Sequence, residues 1–151
     1  MKKEVTFLII QFVLFSLYFI DIEVISYSIP SWLNYILLSI VGCGFVIIFL
    51  GILNLNDDLS VIHTRKEKPM VFHGIYRYVR HPIYSGILLS MIAYALFTVS
   101  IFKFILTLVM GVVFYYKSDN EENWMVKKYE QYRIYKQKTG RFLPKLRNRN
   151  C

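Results

Sequence analysis

The chain has 151 residues, of which 56% are hydrophobic, 17% aromatic and 19% charged, with a formal net charge of +8. Soluble domains average about a quarter charged residues, so this composition leans toward the membrane class, and its wealth of large apolar side chains excludes intrinsic disorder. Two cysteines, Cys43 inside an apolar run and Cys151 at the last position, cannot form a disulfide scaffold.

A helix rises about 1.5 Å per residue, so a hydrocarbon core of about 30 Å needs about 20 mostly apolar residues. The first candidate span is Val5–Ile20, opened by Lys2 and Lys3 and closed by Asp21 and Glu23. No small-residue cleavage site follows it, so it reads as a retained span and not a secretory signal. The second is Trp32–Leu55, without a single charge, and the third is Ile83–Phe102, again uncharged. The fourth, Phe104–Tyr116, is short, and with the third it predicts a tight helical hairpin with Lys103 at its tip. A lysine at mid-bilayer costs about 2.5–3.5 kcal/mol on insertion scales, which favours the tip and a snorkelling side chain. The predicted fold is therefore an all-α membrane bundle of about four transmembrane helices, followed by a cytoplasmic amphipathic C-terminal helix.

Charge placement supports an orientation. Segment 21–31 carries no Lys or Arg, whereas 56–82 carries five and the chain from Lys117 onward carries ten. Basic loops alternate with neutral ones, so both termini and the segments 56–82 and 117–151 are expected on the cytoplasmic side of a single membrane domain. The positive charge then reflects topology and attraction to anionic lipid headgroups, and no nucleic-acid partner is expected.

Two polar segments remain to carry chemistry. In 68–86, Pro82 suits the first turn of a helix and forces His81 into an extended conformation. Arg80 and His81 thereby sit at the mouth of a span, beside unpaired backbone N–H groups and the positive end of the helix dipole. Tyr84 and Gly86 follow, the glycine permitting close approach of another backbone or a ligand. Taken singly, Arg77 and Tyr78 read as interfacial anchors. In 117–146 no proline or glycine occurs before Gly140, so one helix is expected, with Val126, Tyr129, Tyr132 or Arg133, and Lys136 on one face and Met125 flanking it. Glu121 and Glu122 stand near its start. Glu121 can close a capping box with Ser118 if a helix begins there, or it can serve a cation. His63 and His73 have no second ligand at metal spacing, so no metal site is expected.

The order RHPxYxG over Arg80–Gly86, then Glu121-Glu122, then Arg141-Phe142-Leu143-Pro144, resembles the isoprenylcysteine carboxyl methyltransferase family and the related membrane phospholipid methyltransferases. The likeness covers about residues 68–146. It implies an enzyme using S-adenosylmethionine, bound at the cytoplasmic end of the bundle and acting on a lipophilic or lipid-modified acceptor, with O-methylation of an isoprenylcysteine-type carboxylate as the default reaction. Carried over by position, the cofactor contacts are Lys68, Pro69, Met70, Val71, Tyr76, His81, Pro82, Ile83, Tyr84 and Glu121. His81, Glu121 and Lys117 would serve catalysis. Lys117 stands where family members acting on isoprenylcysteine carry an arginine, which keeps the charge but not the bidentate fork. A residue composition low in Gly and rich in Ile, Lys and Tyr suggests a bacterial cell membrane. Two other classes compete: an NADPH-dependent membrane reductase of the sterol reductase type, and a non-enzymatic membrane accessory protein. The acceptor and the oligomeric state are not encoded legibly.

Overall fold

The computed structural model describes residues 2–22, 29–61 and 72–145, with the side chains of 2–4 and 56–61 outside the description. Among the described residues there are five α-helices and no strand. They are α1 (Lys2–Tyr18), α2 (Ser31–Val61), α3 (Pro82–Phe97), α4 (Ile101–Lys128) and α5 (Glu130–Lys138), with a 3₁₀ turn at Gly74–Arg77 ahead of α3. Two stretches, Ser31–Leu55 and Ile101–Lys128, are long and apolar enough to cross a membrane, while α1 and α3 offer shorter apolar runs. Phe12, Phe19, Trp32, Tyr35, Phe45 and Phe49 all point outward. Helices apolar on their outer faces are suited to lipid contact and not to water.

The helices run alternately up and down. Gln11 of α1 meets Lys117 of α4 at one end, while Tyr18 donates to the Met91 carbonyl of α3 at 2.6 Å toward the other. α1 packs on α4, α4 on α3, and α3 on α2. One stripe of α4 makes the core: Leu106, Met110 and Phe114 are buried against Leu14, Tyr18 and Met91. Their spacing of four residues is that of a single helix face.

The α2–α3 contact depends on glycine. A Cβ on Gly86 would lie 2.6 Å from the Gly44 carbonyl oxygen, and one on Gly44 would lie 2.8 Å from that of Gly86. The close approach that Gly86 permits is therefore to the backbone of α2. Cys43, beside this contact, is exposed.

Three expectations need correction. The expected fourth span, 104–116, is part of a continuous 28-residue helix. At about 1.5 Å per residue α4 is about 42 Å long, exceeding a hydrocarbon core by about 12 Å. The last part of the helix, residues 117–128, thus continues beyond the apolar run. Helix continuity also removes the capping-box alternative, since Ser118 Oγ donates to the Tyr115 carbonyl within the helix. Finally, the C-terminal helix is broken. Tyr129 is extended (φ −128°, ψ 113°), which separates α5 from α4 and interrupts the expected stripe through Val126 and Lys136.

Lys103 does lie beside the α3–α4 turn, but it does not snorkel to water. Its ammonium sits 2.6 Å from Asp21 and 4.8 Å from the Tyr94 ring centroid, in a side chain 3% exposed. An ion pair and an aromatic face replace the water that snorkelling would have reached. The turn itself closes α3 with a left-handed residue, Val99 (φ 49°), whose N–H bonds to Leu96 while that of Ser100 reaches Ala95. Ser100 then caps α4 by accepting from the Lys103 N–H.

Candidate functional site

Four segments converge at the end of the bundle formed by the start of α3 and the end of α4. Pro82 opens α3, and His81 before it lies outside the helical region at φ −125°, ψ 63°, as the proline requires, but it stops short of the fully extended conformation expected for it. The strand-like stretch 79–81 is held from the C-terminal side. The Arg80 N–H donates to the Gly140 carbonyl at 2.9 Å, the His81 N–H to that of Arg141 at 3.1 Å, and Ser85 Oγ to that of Phe142 at 2.7 Å. Gly140 is required here, because a Cβ would sit 1.8 Å from the Leu143 carbonyl oxygen.

The buried centre is Glu122, whose side chain is fully enclosed. Arg80 Nε lies 2.8 Å and His81 Nε2 3.2 Å from Oε1, and Lys136 Nζ lies 3.1 Å and Arg141 Nη2 3.2 Å from Oε2. Arg80 spends its remaining donors on the carbonyls of Lys136 and Thr139 at the end of α5. One carboxylate thus ties α3, α4, α5 and the C-terminal strap together through charge-assisted bonds. Arg141 also reaches Asp119 at 2.8 Å.

Glu121, one position earlier, faces a different direction and is only partly buried. It accepts from the Tyr84 hydroxyl at 2.9 Å and lies 3.7 Å from His81 Nδ1. The Tyr84 ring is stacked between His81 (centroids 5.4 Å apart) and Phe114 (4.6 Å). Beside this group opens a cavity of about 240 Å³, lined by Tyr76, His81, Pro82, Ile83, Tyr84 and Glu121 together with Leu55, Phe72, Arg80, Met125, Tyr132 and Tyr135. Burial pushes the phenols of Tyr132 and Tyr135 well up, aided at Tyr132 by the Glu122 charge, and burial likewise raises Tyr76. These three phenols stay protonated at neutral pH, so they can donate hydrogen bonds but do not act as bases there. Tyr135 uses its hydroxyl on the Tyr76 carbonyl at 2.5 Å.

The structure thus brings six of the expected site residues to one cavity. Lys117 is not among its walls: its ammonium lies 3.1 Å from Gln11 Oε1 and 5.4 Å from the Tyr84 ring centroid. Lys68, Pro69, Met70 and Val71 lie outside the described residues. Sequence reasoning did not assign Glu122, Lys136, Arg141, Tyr132 or Tyr135 to the site. A usable signal existed for Glu122, since adjacent helical residues point about 100° apart and two neighbouring carboxylates cannot share one role.

No curated protein and no solved structure matches the chain. The model of the family described as phospholipid methyltransferase matches residues 33–132, a stretch that contains α3, α4, nearly all of α2, and the cavity's His81–Tyr84 and Glu121 walls. That match covers most of the chain and selects the methyltransferase class over the reductase and accessory-protein readings. The chain belongs to the phospholipid methyltransferase family.

Proposed function

We propose that the protein transfers a methyl group from S-adenosylmethionine to a lipophilic acceptor at the membrane surface. The observation that carries this reading is the set Glu121, Tyr84 and His81 on the wall of one cavity at the polar end of an apolar bundle. The donor set suits such a cofactor. Glu121 offers a half-exposed carboxylate to an ammonium or sulfonium cation, and Tyr76, Tyr84, Phe72 and Tyr135 offer aromatic faces to an adenine or a cation. An S-adenosyl group exceeds 240 Å³, so it would extend past the cavity. When bound, the cofactor supplies an electrophilic methyl carbon. The chain's own part is alignment of the acceptor with that carbon.

A lateral approach from lipid suits the acceptor, because α3 and α4, which carry walls of the cavity, present apolar outer faces. A carboxylate acceptor needs no base, whereas an amine or hydroxyl must lose a proton, and His81 and Glu121 are the groups positioned to receive it. Both termini belong on the cytoplasmic side in this reading. Arg77, Lys138 and Lys145 line a groove beside the site, interleaved with Tyr78 and Ile134, as suits a surface resting on anionic headgroups. Calorimetric titration of S-adenosylhomocysteine into the detergent-purified protein tests the assignment. Micromolar binding weakened by both His81→Ala and Glu121→Gln is expected, and a folded wild-type protein that does not bind overturns it.

A further inference from the structure

The two adjacent glutamates are not equivalent, and their geometry divides the labour at the histidine between them. The His81 ring is fixed on every side. Its face lies parallel to Tyr84, within 6°, and Phe142 closes its flank with centroids 6.1 Å apart. Nε2 meets Glu122 Oε1 at 3.2 Å, within hydrogen-bonding distance, while Nδ1 is 3.7 Å from Glu121 Oε2, beyond it. Glu122 is surrounded by Arg80, Lys136 and Arg141, so three permanent cations accompany its charge. An ionised carboxylate only accepts hydrogen bonds, so Nε2 must be the nitrogen that carries a hydrogen toward it. Glu122 has no exposed surface and does not line the cavity, so it acts on a ligand only through its partners that do, His81 and Arg80.

We infer that Glu122 is a positioning residue that pins His81 in the Nε2–H form, leaving Nδ1, beside Glu121 and the cavity, as the one ring nitrogen that exchanges a proton with a ligand. The inference deepens the methyltransferase reading, and the tautomer itself can be observed without it. The groups facing the ring are Glu122 and Glu121 from α4, Tyr84 from α3, and the neighbouring Arg80, with Lys136 and Arg141 acting through Glu122. The same arrangement explains why a chain needs both carboxylates. Glu121 is the one a cationic ligand can reach, and Glu122 keeps the imidazole from rotating or changing tautomer as that ligand arrives.

Nitrogen-15 NMR of histidine-labelled, detergent-purified protein tests this, with the His81 signals assigned by their loss in His81→Asn. In the wild type, Nε2 should hold a protonated-nitrogen shift throughout a pH titration while Nδ1 alone changes. A neutral wild-type ring protonated at Nδ1 overturns the inference, and this result does not depend on any variant folding. In Glu122→Gln both neutral tautomers should appear, and S-adenosylhomocysteine affinity should fall by about tenfold, the scale of one lost charge-assisted hydrogen bond. Glu121→Gln should lower affinity with the Nε2–H form unchanged. An unchanged tautomer in folded Glu122→Gln also overturns it. Failure of the wild type to bind S-adenosylhomocysteine would instead strike the methyltransferase reading, leaving the nitrogen spectrum to decide the tautomer.

Discussion

Arg80 distributes its guanidinium over two helices: Nε and Nη2 to Glu122 of α4, and Nη1 to two carbonyls at the end of α5. A lysine at this position has one nitrogen, and a single ammonium cannot span a carboxylate on α4 and carbonyls on α5 together. Arg80→Lys should therefore cost about 3 kcal/mol of stability, at the lower end of the range for breaking a buried ion pair. Thermal unfolding in detergent measures it, and a shift no larger than that of the exposed Lys128→Arg would contradict the role. The buried phenols make a second prediction. Tyr76, Tyr132 and Tyr135 ionise less readily in the folded protein than at the usual 10.0, with burial as the main cause. Above that value the unfolded chain releases phenolic protons that the folded one keeps, so stability falls as pH rises. Below it the phenols are neutral in both states and contribute no slope. Tyrosinate absorbance should show these three titrating only on unfolding, and their early titration in folded protein would contradict the burial.

Among the elements, α2 and α3 rely on two glycines whose backbones nearly touch. Gly86→Ala would place a methyl 2.6 Å from the Gly44 carbonyl oxygen and 2.7 Å from Ile48 Cγ1, and neither α2 nor α3 can yield without losing register. A loss of about 1–3 kcal/mol is expected from such overpacking. Gly42 is the control, since a Cβ there meets nothing within 4 Å, and Gly42→Ala should be neutral or slightly stabilising. Comparable losses in both would mean that helix propensity and not contact decides. The legible elements were those fixed by local chemistry: uncharged runs for α1 to α3, Pro82 at the start of α3, and the RHPxYxG and EE residues that meet at the cavity. The break at Tyr129 was illegible because no proline or glycine marks it. It is imposed from a distance: α5 turns so that Tyr132 is buried, Tyr135 reaches the Tyr76 carbonyl, and Arg80 draws in the Lys136 and Thr139 carbonyls. The inward turn of Lys103 was hidden for the same reason, because its partner Asp21 lies 82 residues away.

At the scale of the whole molecule the two ends of the bundle have opposite characters. The site end gathers Arg77, Arg80, Lys136, Lys138, Arg141 and Lys145 on and beside the strap that closes the cavity. The far end holds one cation, Lys103, already paired with Asp21 among the described residues. A bilayer with an anionic cytoplasmic leaflet would favour the basic end by about 1 kcal/mol for each cation near its surface. Several such cations outweigh any preference the far end can express, so the site should face the cytoplasm, where S-adenosylmethionine would be supplied. Single cysteines placed at Lys138 and at Ile22, with Cys43 and Cys151 changed to serine, report the orientation directly. Both positions are exposed at opposite ends of the bundle. A membrane-impermeant maleimide applied to intact cells should label Ile22→Cys and spare Lys138→Cys until the cells are broken. The reverse pattern would put the cavity on the outer face, and with it the methyl donor would have to come from outside the cell.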